Sequence, residues 1–167
     1  MYIDLTKLSE GIKEFDETLE VDLQEETARL LEPLRIFGEL KKGIVQVDLE
    51  GSIAAKLEIE CSRCLNPVES MLTVPFKVGY ITAEYYTKEK ESELHGDDLD
   101  LAVFDGEKID LTELATEQIL LNLPTQMFCQ ENCLGLCPKC GANLNLNPCS
   151  CETKEIDPRW SALKKLK

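Results

Sequence analysis

The chain is 167 residues long, 43% hydrophobic and 30% charged, with 32 acidic side chains against 18 basic ones and eight cysteines. That length and apolar share suit one domain with a real core, or one domain with a small appendage, and argue against wholesale disorder. A net charge of −14 excludes broad phosphate neutralisation as a way of binding nucleic acid, so no DNA role is expected and any RNA contact must be local or run through a basic protein.

The acidity is uneven. Residues 1–40 carry 11 acidic and 4 basic side chains, and residues 84–110 carry 10 and 3, while residues 41–83 hold five of each. The first stretch, from Met1 to Gly11, contains Asp4 and lacks the apolar run of a secretory signal. No segment approaches the length of apolar sequence that crosses a bilayer. A cytoplasmic address is therefore expected, where clustered cysteines bind metal more often than they form disulfides.

Leu34–Leu40 reads as a strand, joined through Lys41-Lys42-Gly43 to another, Ile44 to Leu49, in which Val45, Val47 and Leu49 share a face. Beyond Gly51 the alternation continues through Ile53, Ala55, Leu57 and Ile59 to Cys61. A third run, Met71 to Ile81, places Val74, Phe76, Val78 and Tyr80 together, and Pro75 within it marks an edge or a bulge. These runs predict an antiparallel meander with one buried face. Residues 83–100 break the pattern with charge and read as a loop or short helix, with His95 facing solvent. Phe104-Asp105-Gly106 signals a turn. Asp110 then caps a helix over about 111–122 by accepting from the Glu113 amide, with Leu111, Leu114, Ala115, Ile119 and Leu123 on its packing side and Pro124 as its stop. The expected fold class is α+β: an antiparallel β meander with a packed helix and a C-terminal cysteine-rich zinc-binding segment. Its parts are residues 1–128, a cysteine-rich segment 129–151 and a short basic helix over 152–167.

The cysteines come in pairs: Cys61 and Cys64, Cys129 and Cys133, Cys137 and Cys140, Cys149 and Cys151. A two-residue gap in a tight turn lets both sulfurs converge on one cation, and Gly141 suits the turn after Cys140. Thiol exchange favours a helix N-terminus, and Cys61-Ser-Arg-Cys64 leads instead into Leu65-Asn66-Pro67. An iron–sulfur cluster also takes four cysteines and stays open. Two four-cysteine sites are the simplest partition, one from Cys137, Cys140, Cys149 and Cys151 and one from Cys61, Cys64, Cys129 and Cys133. The single residue between Cys149 and Cys151 makes the first of these tight. The alternative is a ribbon of Cys61/Cys64 with Cys137/Cys140. The expected cofactor is zinc, roughly two ions per chain, or one in the ribbon partition. Four-cysteine zinc is structural, the lone His95 lies outside every pair, and no phosphate-cradling glycine loop is present, so no catalytic residue and no enzyme activity are expected.

Taken together, Cys61-Ser-Arg-Cys64-Leu65, the run Ile109-Asp110-Leu111 through Leu120-Leu121-Asn122-Leu123-Pro124, Gly135-Leu136-Cys137-Pro138-Lys139-Cys140-Gly141-Ala142-Asn143-Leu144 and Asp157-Pro158-Arg159-Trp160-Ser161-Ala162-Leu163 resemble the YceD-type large ribosomal RNA accumulation proteins. The resemblance spans about residues 1–167. It implies a bacterial or plastid factor for synthesis, processing or stability of large-subunit (23S) ribosomal RNA in ribosome biogenesis. Some family members lack the C-terminal cysteine cluster, which implies a separable second metal site from Cys137 to Cys151. The basic tail offers a handle on mechanism: Trp160, Leu163 and Leu166 share a helical face, beside Arg159, Lys164, Lys165 and Lys167. Arg63, held between two cysteines, joins Arg159, Lys164 and Lys165 as a candidate contact for ribosomal RNA or a pre-ribosomal particle. The rival expectation is an acidic escort of a basic ribosomal protein, with the two acidic stretches supplying the complementary field. A thiol or metal-dependent enzyme is the third reading.

Overall fold

In the computed structural model, residues 1–25, 27–82, 101–104, 106–151 and 159 are described. The elements in chain order are β1 (Tyr2–Asp4), a 3-10 turn (Leu5–Lys7), β2 (Gly11–Leu19), β3 (Ala28–Leu30), β4 (Leu34–Lys42), β5 (Gln46–Glu60), β6 (Pro67–Thr82), β7 (Leu101–Phe104), β8 (Lys108–Asp110) and helix α1 (Leu111–Asn122). The chain divides into two compact units, one of residues 1–59 and 69–125 and the other of residues 60–68 and 126–167.

The first unit is built on a six-stranded sheet with the order β2-β4-β5-β6-β7, β3 pairing with β5 off that path. The alternation read in the sequence is its backbone. Val47, Leu49, Ile53, Ala55, Leu57 and Ile59 of β5 are buried, as are Leu34, Ile36 and Leu40 of β4. Side chains of a strand alternate between faces, so one side of the sheet becomes apolar and the other stays wet. Ile44 and Val45, expected to open the strand, are exposed instead. The Gly43 amide bonds the Gln46 carbonyl (2.9 Å), so these two residues form the tip of the β4–β5 hairpin.

Gly38 and Gly51 face one another across β4 and β5. A Cβ on Gly38 would lie 2.6 Å from the Gly51 Cα and would collide with the Glu50 carbonyl oxygen. The two strands therefore approach closer here than side chains permit.

The meander expected from the sequence needs correction. β6 and β7 run parallel, with Gly79 to Thr82 facing Leu101 to Phe104, and the sheet is mixed. Parallel neighbours require a long crossover, and residues 83–100 provide the length. That acidic stretch, with His95, lies outside the described residues, as does Asp105 of the expected turn. A second, two-stranded sheet pairs β1 with β8 antiparallel. On β6, Val74 and Phe76 are buried as expected. Beyond them Gly79 and Ile81 are buried while Val78 and Tyr80 are only half-buried, so both faces are covered where β7 adds on. Pro75 lies short of the β7 pairing and needs no amide on that side.

Helix α1 spans the expected residues and buries Leu111, Leu114, Ala115 and Ile119. Asp110 caps it by accepting from the Thr112 amide (2.8 Å), and the Glu113 amide expected from the sequence also bonds this carboxylate. Tyr80 reports the helix's proximity to the sheet: burial, and then the charges of Glu117 and Glu113, push its pKa up to about 12. No helix among the described residues is long and apolar enough to cross a membrane.

Candidate metal centres

All eight cysteines belong to the second unit. Cys61 continues the buried row of β5, and the chain then turns back on itself before β6. The Leu65 amide bonds the Cys61 carbonyl (2.9 Å) and the Cys61 amide bonds the Asn66 carbonyl (2.9 Å). The same two bonds recur at the same spacing in the second C-x-x-C. Gly141 donates to the Cys137 carbonyl (2.9 Å) and Cys137 to the Ala142 carbonyl (2.8 Å). Both turns place the residue after the second cysteine in the left-handed region, Leu65 at φ 59° and Gly141 at φ 73°. The two motifs are one knuckle made twice.

Each knuckle meets a second cysteine pair. The sulfurs of Cys61, Cys64, Cys129 and Cys133 lie within 4.8 Å of one another, and so do those of Cys137, Cys140, Cys149 and Cys151. Cys61 and Cys133 are 3.9 Å apart, Cys64 and Cys129 3.6 Å. A tetrahedral ion with metal–sulfur bonds of 2.3 Å requires sulfurs roughly 3.8 Å apart, whereas a disulfide holds them at about 2.05 Å. The thiols are free, and their spacing fits single ions. The structure thus groups the cysteines in the two local sets favoured by the sequence rather than in the ribbon. Cys149 and Cys151 share a group despite the one residue between them.

Electrostatics within each group is that of crowded thiols. Burial works to raise the Cys61 pKa, but amides of Arg63, Cys129 and Cys64 directed at its sulfur outweigh that and hold it near about 6. The Cys140 and Lys139 amides hold Cys137 near about 6 as well. Burial and the neighbouring Cys133 thiol push Cys129 up to about 12, and the Cys140 sulfur beside Cys151, followed by burial, does the same there. Thiolates packed this closely repel, so a proton or a cation must sit between them. A divalent ion would be held by all four sulfurs with no open coordination position, the arrangement of structural zinc.

Two residues that the cysteine spacing does not reveal complete the first group. Asn145 donates to the Cys133 sulfur (3.3 Å) and accepts from the Leu134 amide (2.8 Å). Asn143 accepts from the Asn145 side chain (2.9 Å) and fixes its orientation. Only the repeat Asn143-Leu144-Asn145-Leu146-Asn147 hints at them in the sequence. Such donors to a ligating sulfur orient it and stabilise its charge.

Arg63 is exposed. Its guanidinium donates to the Cys133 and Glu131 carbonyls (2.9 and 3.3 Å) and lies 4.4 Å from the Phe128 ring centroid. It thereby ties the first knuckle to the segment carrying Cys129 and Cys133. Arg159 is exposed, while Trp160, Lys164, Lys165 and the rest of the expected terminal helix lie outside the described residues.

Fold and site together define a β-sheet protein with paired four-thiol centres on duplicated knuckles. The chain belongs to the YceD family: the family described as large ribosomal RNA subunit accumulation protein YceD matches over residues 49–167. It is 30% identical over 159 residues to the uncharacterized protein YlbN of Bacillus subtilis, covering 92% of this chain and 87% of that protein. An uncharacterized protein of Mycobacterium tuberculosis (strain H37Rv) is 34% identical over 113 residues, 68% of this chain. The match covers 52% of the mycobacterial relative, about half its length. A shorter match, 33% over 60 residues, links 36% of the chain to 19% of the Arabidopsis thaliana chloroplastic protein named large ribosomal RNA subunit accumulation protein YCED homolog 1. No solved structure matches.

Proposed function

We propose that this chain is a non-catalytic cytoplasmic factor that supports synthesis, processing or stability of large-subunit (23S) ribosomal RNA, with each four-cysteine group holding a structural zinc ion. The family match over residues 49–167 carries the ribosomal part of this reading. The name borne by the chloroplastic relative agrees with it. The zinc part rests on sulfur spacing. Four thiols within 4.8 Å of one another surround one ion and leave no room for a multi-iron cluster, whose ligands are spread over several metals. A closed all-thiolate shell also leaves no position for substrate, which favours a structural role over a catalytic one.

The test is deletion of the gene in its own host, with ribosome profiles and 23S-to-16S ratios measured before and after complementation. Loss of large-subunit RNA, rescued by the unmodified chain and not by the Cys61→Ser/Cys64→Ser variant, is the expected result. An unchanged ratio on deletion would overturn the ribosomal reading. Metal analysis that finds iron, or no metal, in the purified chain would overturn the zinc reading.

A second reading concerns how the chain meets the ribosome's components, and one observation favours it. Glu14, Glu39 and Glu50 stand in register across β2, β4 and β5, all exposed on one face of the sheet. Such a face repels a phosphate backbone and suits a basic protein. Retention of a basic ribosomal protein after RNase treatment of a pull-down supports this escort role; loss of every partner argues for direct RNA contact.

A further inference from the structure

The sheet of the first unit ends on β2. Among the described residues β2 has β4 on one side and no strand on the other. In an antiparallel pair every second residue turns its N–H and C=O away from the partner, so this nine-residue strand offers an unpaired main-chain edge roughly 30 Å long. Hollows lie along both faces of that edge. On the core side a cleft of about 400 Å³ is lined by Ile3, Phe15, Leu40 and Leu111, with the charged Asp4, Lys7, Lys13 and Glu17 around them. On the outer side a hollow of about 390 Å³ is lined by Glu14, Asp16, Phe37 and Glu39.

Charge selects the occupant. Directly opposed like charges destabilise a sheet, yet Glu14 faces Glu39 and Glu39 faces Glu50. None of the three makes an ion pair among the described residues. Asp16, two residues along, is already held by Arg35 (2.7 Å). RNA would bring phosphate against these carboxylates and is repelled. A second copy paired about Phe15 would set Glu14 against Asp16 but Lys13 against Glu17, and the test below decides against it. Charges on an edge strand keep it from pairing with its own kind, and the same charges leave it open to a basic strand.

We propose that β2 is the docking edge for an extended basic segment of another protein, added to the sheet as a further strand. Its lysines or arginines alternate with apolar side chains: the basic ones lie over Glu14 and Glu39, and the apolar ones enter the cleft beside Phe15 and Leu111. This rests on the escort reading above and names its contact surface. Main-chain bonding supplies affinity, and the two faces supply the period-two specificity of strand addition.

The test uses the full chain and a blocked, fluorescent ten-residue peptide alternating lysine with valine, read by anisotropy at two salt concentrations. Two further peptides carry N-methyl groups on all the lysines or on all the valines. Strand addition turns only one of these sets of amides toward β2, so one peptide should bind at least tenfold more weakly and the other nearly as well as the parent. Glu14→Lys/Glu39→Lys should weaken the parent peptide at least tenfold while its circular dichroism stays unchanged. Hydrogen exchange should slow at residues 11–19 on binding. Equal affinity for both N-methylated peptides reduces the contact to unspecific charge and overturns the proposal. It is equally overturned by peptide displacement with single-stranded RNA, or by a dimer of the free chain that protects residues 11–19. Should the charge-reversed variant fail to fold, the N-methylated pair decides alone. The two readings also fail separately: peptide that does not bind sinks the docking edge whatever the ribosome profile, and normal 23S RNA on deletion sinks the proposed function whatever the peptide does.

Discussion

Chelation should unfold the second unit and spare the first. Among the described residues, the buried side chains of the second unit are Cys61, Cys64, Cys133 and Cys137, with Val68 and Leu136 only partly covered beside the first three. Its described interior is made of these cysteines, while the first unit buries rows of leucine, isoleucine and valine from β4, β5 and β6. A domain's net stability is roughly 0.05–0.15 kcal/mol per residue, only a few kcal/mol for a unit of this size. A structural zinc ion contributes about 10–16 kcal/mol of apparent binding energy. With zinc in each group as proposed, removing either ion would exceed the margin of the second unit, and removing both would leave nothing to replace them. A graded chelator titration would follow metal release with a chromophoric indicator, alongside peptide-resolved hydrogen exchange of both units. Amides of Cys61–Asn66 and Cys129–Asn147 should lose protection in step with metal release, while β4 and β5 keep theirs. Protection that survives in the second unit after both ions have gone would refute the reasoning. So would loss of β4 and β5 at the same chelator concentration.

The other expectations are local. Gly38→Ala or Gly51→Ala drives a methyl into the facing backbone and should cost at least about 1–3 kcal/mol, seen as a lower denaturation midpoint at constant m-value; an unchanged midpoint would show that the strands can part cheaply. At Gly141 a Cβ meets nothing within 4 Å and the penalty is conformational alone. Gly141→Ala should thus lose about 1–2 kcal/mol of metal-bound stability, while Leu65→Gly, at the equivalent turn, should lose little or gain. A clear loss at Leu65→Gly, or no loss at Gly141→Ala, in thermal melts would break the equivalence of the knuckles. The Thr6 hydroxyl, followed by Lys7, lowers Asp4 from its ordinary 3.8 to about 2. A carboxylate lowered on folding stabilises fully above its unfolded pKa and ceases to do so as pH falls through the folded one. Asp4→Asn should flatten the acid limb of the stability curve between about pH 4 and pH 2, and an unaltered limb would remove Asp4 from the account.

Legibility in the sequence followed the physics of each element. β5 was readable because one face is buried along its whole length, from Val47 to Ile59, and α1 because its cap, apolar spacing and Pro124 agree. β2 was hidden. Only Leu19 at its end is fully buried, while Lys13 and Glu17 occupy the core-facing phase together with Phe15, so no alternation of apolar residues announces a strand. β1, β3 and β8 are three-residue strands whose pairing is decided by tertiary packing. The parallel placement of β7 is a choice among partners that local pattern cannot encode. The cysteine groups were readable in outline because spacing limits which sulfurs can converge, whereas Asn145 reaches Cys133 across a fold that spacing does not describe.

Leu65 and the amide-rich surroundings of the thiols connect the metal centres to the charge of the whole chain. Each group of four thiolates around one divalent ion carries −2, so acidic neighbours would oppose its assembly. From Cys129 to Cys151 the sequence contains one acid, Glu131, among Gln130, Asn132, Asn143, Asn145 and Asn147. Amide side chains can donate hydrogen bonds without adding charge, and Asn145 does so directly to Cys133. The acidity is displaced onto the sheet unit, where the Glu14–Glu39–Glu50 row bears it at a cost to pairing. Leu65 fits no such rule. It is 57% exposed, apolar and left-handed where its counterpart is glycine, so neither burial nor backbone preference accounts for it.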